Sequence, residues 1–230
     1  MYFPLLSKRL TILSETQACI FDLDGVLVET SEFHYLAWSR LGKEFGIEVT
    51  KEVNEQLKGV SRRSSLDVLL AIANLDLEEK TKAELAERKN TWYLEYLKDM
   101  THEDTLPGVL PFLDELKEDG FKLAVGSSSK NAVSILNKLQ IMDYFETVID
   151  GNSVKEAKPD PEIFLRGAND LKVDPTSCVV FEDAISGVLA AKAGNFKCIG
   201  VGSADVLKEA DFVISSFEEF DLGKLKSMTH

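Results

Sequence analysis

The stretch Ala18-Cys-Ile-Phe-Asp22-Leu-Asp24-Gly-Val-Leu-Val28 decides the fold. It is a short apolar run that ends in two carboxylates one residue apart, followed by a glycine. Residues i and i+2 of a strand point the same way, so a strand ending here aims Asp22 and Asp24 into one crevice. Gly25 then lets the chain turn sharply away. Two carboxylates that close require a cation, a shared proton or open water.

Working outward, the chain of 230 residues is long enough for a sizeable core, in one large or two small domains. No apolar run approaches the ~18 residues of a membrane span. The opening Met1-Tyr-Phe-Pro-Leu-Leu-Ser-Lys-Arg9 carries its basic residues after the apolar ones, the reverse of a secretory signal, so residues 1–15 read as an extension before the first strand. The net charge of −13 argues against nucleic acid as a partner and fits a monomer with an acidic surface. Cys19, Cys178 and Cys198 lie in or beside apolar runs without metal-type spacing, which predicts reduced core thiols and a cytoplasmic protein.

Six runs rich in β-branched and aromatic residues read as strands: 19–23, 121–126, 147–149, 178–181, 197–201 and 212–214. Helix-like segments lie between them at 110–118, 132–139, 163–171, 184–193 and 204–209. This alternation predicts a doubly wound parallel α/β sheet, which binds ligands at the carboxyl ends of its strands. Residues 31–101 break the pattern. Phe33, Leu36, Ala37 and Leu41 form one helical stripe, Leu66, Leu69, Leu70 and Ala73 another, and a charged helix is expected over 78–100. The expected organisation is a core of residues 1–30 and 102–230 with a helical domain, 31–101, inserted after the first strand. Its two crossings, 27–30 and 100–104, would serve as hinges.

Four segments fall where strands should end: Asp22-Leu-Asp24, Gly126-Ser127-Ser-Ser-Lys130-Asn131, Lys158-Pro-Asp-Pro161 and Glu182-Asp183. Each alone has a plain structural reading: Ser127 to Ser129 can cap a helix, Asp160-Pro161 looks like an N-cap with proline at N1, and Glu182-Asp183 can cap the next helix. Their order and shared edge point instead to phosphoryl transfer with Mg²⁺, a hard ion that takes few carboxylates plus substrate phosphate. Asp22, Asp183 and Glu182 are the candidate metal carboxylates, with the main-chain carbonyl of Asp24. Asp22 is the candidate nucleophile and Asp24 the candidate acid and base. Ser127 and the amides after it would hold phosphate oxygens, and Lys158 would neutralise transition-state charge.

These four segments resemble the motifs of the haloacid dehalogenase superfamily: Phe21-Asp-Leu-Asp-Gly-Val26, Gly126-Ser127-Ser128, Lys158-Pro159-Asp160-Pro161 and Phe181-Glu182-Asp183. The resemblance covers nearly the whole chain and implies a Rossmann-like core with an inserted all-helical cap. Within the cap, His34-Tyr-Leu-Ala-Trp38, Asn54-Glu-Gln-Leu-Lys58-Gly-Val-Ser-Arg62 and Arg88-Lys89-Asn90 resemble the β-phosphoglucomutase family. That likeness implies interconversion of β-glucose 1-phosphate and glucose 6-phosphate through β-glucose 1,6-bisphosphate, with sugar phosphates as the partners. A bisphosphate needs a second anion site, for which Arg62 is the best candidate because a guanidinium holds phosphate bidentately. Lys58 and Lys89 would add charge, and Ser128, Ser129, Lys130 and Asn131 would contribute from the core side. The resemblance further implies that His34 hydrogen-bonds Asp24 across the hinge, that Thr30 sits in that hinge and that Trp38 lines the cap. Glu29 stands where many relatives carry aspartate, and Ala184 supplies no hydroxyl after the acidic pair.

Two other functions fit parts of the pattern. A sugar-phosphate phosphatase would use the same core residues with water as acceptor, and leaves the second cationic cluster and His34 unexplained. A non-catalytic binding module on this fold is opposed by the intact set Asp22, Asp24, Lys158 and Asp183.

Overall fold

A computed structural model describes residues 16–229, so the extension expected at 1–15 lies outside the described residues. Strand β1 (Ala18–Phe21) is followed by four helices before any other strand: α1 (Ser31–Glu44), α2 (Lys51–Leu57), α3 (Arg62–Ile72) and α4 (Glu79–Tyr96). The chain then runs through α5 (Val109–Glu118), β2 (Lys122–Gly126), α6 (Ala132–Lys138), β3 (Thr147–Ile149), α7 (Glu162–Leu171) and β4 (Cys178–Glu182). It ends with α8 (Ile185–Ala193), β5 (Lys197–Val201), β6 (Phe212–Ile214) and α9 (Leu222–Thr229). All six expected strands form. The expected helix at 204–209 does not: those residues make only turns, in which the N–H groups of Val206 and Leu207 both bond Ser203 O. Leu207 is buried against Gly200, which holds this short connection flat on the sheet instead of letting it coil. Helix α4 ends at Tyr96, short of the expected 100.

The sheet order is β3-β2-β1-β4-β5-β6, with every pair parallel. Side chains alternate across β1. Cys19 and Phe21 enter one apolar cluster, while Ala18 and Ile20 enter the other. The first cluster packs α5 and α6 and runs on into the inserted helices through Leu23, Val26, Leu27 and Val28 to Trp38, Leu41 and Leu66. The second packs α7 and α8. Both sheet faces are therefore covered, as a parallel sheet requires. All three cysteines are buried and free of disulfides. No helix among the described residues is long and apolar enough to cross a membrane.

The two chain segments linking sheet and insertion run side by side. Val28 and Thr105 form an antiparallel bridge, and Leu106 N–H donates to Leu27 O at 2.9 Å. Under the sheet's active edge, Phe21 stacks on Phe181 with ring centroids 4.8 Å apart, and Phe112 meets both edge-on. Phe181 is fully buried. The change Phe181→Ala is expected to cost about 3–5 kcal/mol, by lost transfer energy plus the cavity left behind. Urea titration of both proteins measures it.

Candidate active site

Strand order reverses between β1 and β4, and ligands in doubly wound sheets bind in the crevice outside the strands at such a point. Phe21 pairs with Phe181 in register, so the next residues, Asp22 and Glu182, come out side by side. Asp22 N–H donates to Phe181 O at 2.9 Å, holding the chain in line beyond the strand. Gly25, at φ 81°, turns the chain back, and its N–H donates to Val28 O at 2.7 Å. A side chain on Gly25 would overlap the Asp183 carboxylate, so the glycine also admits Asp183 to the site.

Lys158 arrives from the loop between β3 and α7. Its Nζ donates to Asp22 Oδ1 at 2.5 Å and to Glu182 Oε1 at 2.6 Å, with the lysine side chain wholly out of water. Burial opposes the lysine charge, but the two carboxylates outweigh it and hold the ammonium above its ordinary value. Glu182 Oε2 accepts from Ala184 N–H at 2.9 Å. Both Glu182 oxygens thus have a partner within the protein, one on Lys158 and one on the Ala184 amide. It anchors Lys158.

Asp183 makes no hydrogen bond or ion pair among the described residues. Burial, then the Glu182 and Asp22 charges, push it well above the usual carboxylate range. Asp24 accepts a short hydrogen bond from Thr30 Oγ1, and burial, then the Asp22 charge, raise it to about 6. A carboxyl that exchanges a proton near neutrality suits acid and base work.

The serine loop is more constrained than its sequence implied. Ser127 N–H donates to Ile149 O at 3.0 Å. Ser129 N–H bonds Ser127 Oγ at 3.1 Å, and Asn131 N–H bonds Ser129 Oγ at 3.2 Å. The amides of Ser127, Ser129 and Asn131 therefore have partners within the protein. Ser127's hydroxyl hydrogen remains available to a ligand. Ser128 Oγ donates to Gly59 O at 2.8 Å, on the helical side of the cleft. Lys130 is exposed at the cleft, and Asn131 Nδ2 donates to Asn90 Oδ1 at 2.9 Å.

From the helical side, His34 Nε2 lies 3.9 Å from Asp24 Oδ1. Its Nδ1 is 2.7 Å from Lys89 Nζ. Lys89 is buried between the rings of Trp38 and Tyr93, with Nζ 4.6 and 4.8 Å from their centroids. Burial, then the Arg62 charge, hold Lys89 well below its usual range, and burial, then Lys89, do the same to His34. Arg62 is only 18% exposed along its side chain and pairs with the exposed Glu87 at 3.2 Å. Lys58 pairs with Glu55 at 3.0 Å. Glu29 Oε1 accepts from Ser31 N–H at 2.8 Å at the start of α1. One cleft of about 780 Å³ is lined by Asp22, Asp24 and Asp183 below and by His34, Arg62 and Lys89 above. Sequence reasoning missed Tyr93, whose ring stacks on His34 with centroids 4.0 Å apart, and Glu87, which holds Arg62. An aromatic and an acid on a charged helix look like ordinary core and surface.

Residues 19–201 match the family model of the haloacid dehalogenase-like hydrolases. The chain belongs to that family of phosphoryl-transfer enzymes. Within it, the chain is 38% identical to a beta-phosphoglucomutase of Bacillus subtilis, over 90% of this chain and 92% of that one. A crystal structure of beta-phosphoglucomutase from Clostridium difficile superposes with a TM-score of 0.89 at 38% identity, covering 93% of this chain and 96% of that one. A phosphorylated carbohydrates phosphatase of Thermotoga maritima is 36% identical over 80% of this chain and 83% of its own length.

The family implies Mg²⁺, and the donor set fits it. Among the described residues no three or more His, Cys, Asp or Glu side chains converge as a metal centre. Asp22 and Asp183 face one cleft together with Asp24. An all-oxygen set with few protein ligands leaves room for water and phosphate, as Mg²⁺ prefers, and offers no sulfur or imidazole. Asp183→Asn is expected to weaken Mn²⁺ binding by more than about tenfold, and Glu182→Gln by clearly less. Electron paramagnetic resonance of free Mn²⁺ measures both, and equal losses would give Glu182 the same standing toward the metal as Asp183.

Proposed function

We propose that the protein is a Mg²⁺-dependent β-phosphoglucomutase, working through β-glucose 1,6-bisphosphate. The observation that carries the reading is the opposition of two charged sites across one cleft. Asp22, Lys158 and Ser127 stand at the sheet edge, while Arg62 and Lys89 stand on the helical side beside His34, with Glu87 at Arg62 and Asp24 facing His34. Mutually repelling cations out of bulk water form a site that an anion relieves. A sugar with one phosphate leaves that second site without purpose; a bisphosphate uses both.

On this reading, Asp22 and Asp183, with the main-chain carbonyl of Asp24, hold Mg²⁺, which when bound draws charge from the transferring phosphoryl oxygens. Asp22 attacks phosphorus and carries the phosphoryl group. Asp24 gives its proton to the leaving sugar oxygen and takes one from the attacking hydroxyl. Lys158, locked by Glu182, faces the phosphoryl oxygens as charge builds, and Ser127 donates its hydroxyl. Arg62, exchanging Glu87 for the distal phosphate, holds the far end. Residues 31–101 act as a cap domain on the core of 1–30 and 102–230. Its hinges are the paired crossings, and its closure excludes water.

A sugar-phosphate phosphatase is the second reading, favoured by the likeness to the Thermotoga maritima phosphatase. Product analysis separates the two. With β-glucose 1-phosphate, Mg²⁺ and a trace of bisphosphate, the expected product is glucose 6-phosphate; rapid release of inorganic phosphate without it would exclude the mutase. Arg62→Ala is expected to slow isomerisation by roughly 10- to 100-fold, the value of a charge-assisted contact, while hydrolysis of a small phosphate ester falls much less.

A further inference from the structure

The loop of residues 58–61 joins α2 to α3. It carries Lys58 and leads directly into Arg62, so it sets where the upper cations stand. Two serines of the core grip its main chain. Ser128 Oγ donates to Gly59 O at 2.8 Å, and Ser186 Oγ donates to Lys58 O at 3.4 Å. Gly59 has φ 68°, and a side chain there would come within 2.5 Å of Ser186 Oγ and 2.7 Å of Ala184 Cβ. Only a glycine allows the loop to lie this closely on the start of α8.

The placement of the two serines is what gives the contacts meaning. Ser128 directly follows Ser127, and Ser186 stands three residues beyond Asp183. Each therefore ties the cation-bearing loop to one of the two core segments that carry the chemistry. Both acceptors are main-chain carbonyls, so the grip does not depend on which side chains the loop displays. The contact at 2.8 Å is the stronger of the two, and the longer one adds a second anchor on the other core segment.

We infer that Ser128 and Ser186 are positioning residues forming a latch, which holds the cap loop on the core and so sets the share of phosphoryl groups passed to sugar instead of water. The second half of this statement rests on the mutase reading; the first half does not. The two fates differ only in the acceptor. In each, a hydroxyl oxygen, of the sugar or of water, bonds to phosphorus, the bond from phosphorus to Asp22 breaks, and the hydroxyl proton goes to Asp24. A looser cap admits water and favours the second fate.

The test joins a structural and a chemical measurement on the full chain. Small-angle X-ray scattering without substrate compares the wild type with Ser128→Ala, Ser186→Ala and the double variant. Loss of one neutral hydrogen bond is expected to raise the open-to-closed ratio roughly fivefold, so the radius of gyration increases from single to double variant. With β-glucose 1-phosphate, Mg²⁺ and a trace of bisphosphate, the ratio of inorganic phosphate to glucose 6-phosphate is expected to rise in the same order. Ser186→Thr, which keeps the hydroxyl, is expected to restore both values. A double variant that scatters like the wild type overturns the latch, whatever its product ratio. An unchanged product ratio in a more open double variant overturns its control of the acceptor. Should no protein form glucose 6-phosphate while the scattering shifts as expected, the mutase reading falls and the latch stands.

Discussion

One buried ammonium organises the sheet edge. Lys158 Nζ lies between Asp22 and Glu182, with all three side chains nearly or wholly excluded from water. Two carboxylates brought together by the pairing of β1 with β4 would repel strongly in that environment, and the lysine between them makes their closeness tolerable. Its second consequence is a division of roles. Glu182 holds Lys158 and the Ala184 amide, Asp22 is oriented by one oxygen, and Asp183 makes no hydrogen bond or ion pair among the described residues.

The upper wall of the cleft reverses this balance. There Lys89 and Arg62 stand near each other beside His34, Glu87 forms its ion pair with Arg62, and Trp38 and Tyr93 present their ring faces to Lys89. The lower wall carries the Asp183 carboxylate, which has no hydrogen bond or ion pair among the described residues, and the upper wall carries Lys89 and Arg62. A ligand that brings a hard cation to one and a phosphate to the other satisfies both. The loop of residues 58–61 connects these walls mechanically, because it carries cations yet is held by core hydroxyls.

Much of this was legible in the sequence. Strands showed as β-branched runs because a sheet covered on both faces leaves few polar positions along them. The four chemical segments showed because each directly follows a strand or opens a helix. The turn at 204–209 misled because its composition is helical while Leu207 is drawn onto the sheet. The serine loop held a detail that its sequence did not show: the Ser127 and Ser129 hydroxyls accept from amides of their own loop.

Local order in the chain determined the parallel sheet, the edge on which the chemistry lies and the pair Asp22 and Asp24, since strand period and turn chemistry act over a few residues. Tertiary structure alone decided which partner each charge received. Glu182 and Asp183 are adjacent in sequence, yet one meets Lys158 and the other meets none, because successive side chains at a strand end leave in different directions. Likewise Lys89 reaches His34 across 55 residues of chain. Charges interact through space and dielectric, and neither is written in the order of the residues.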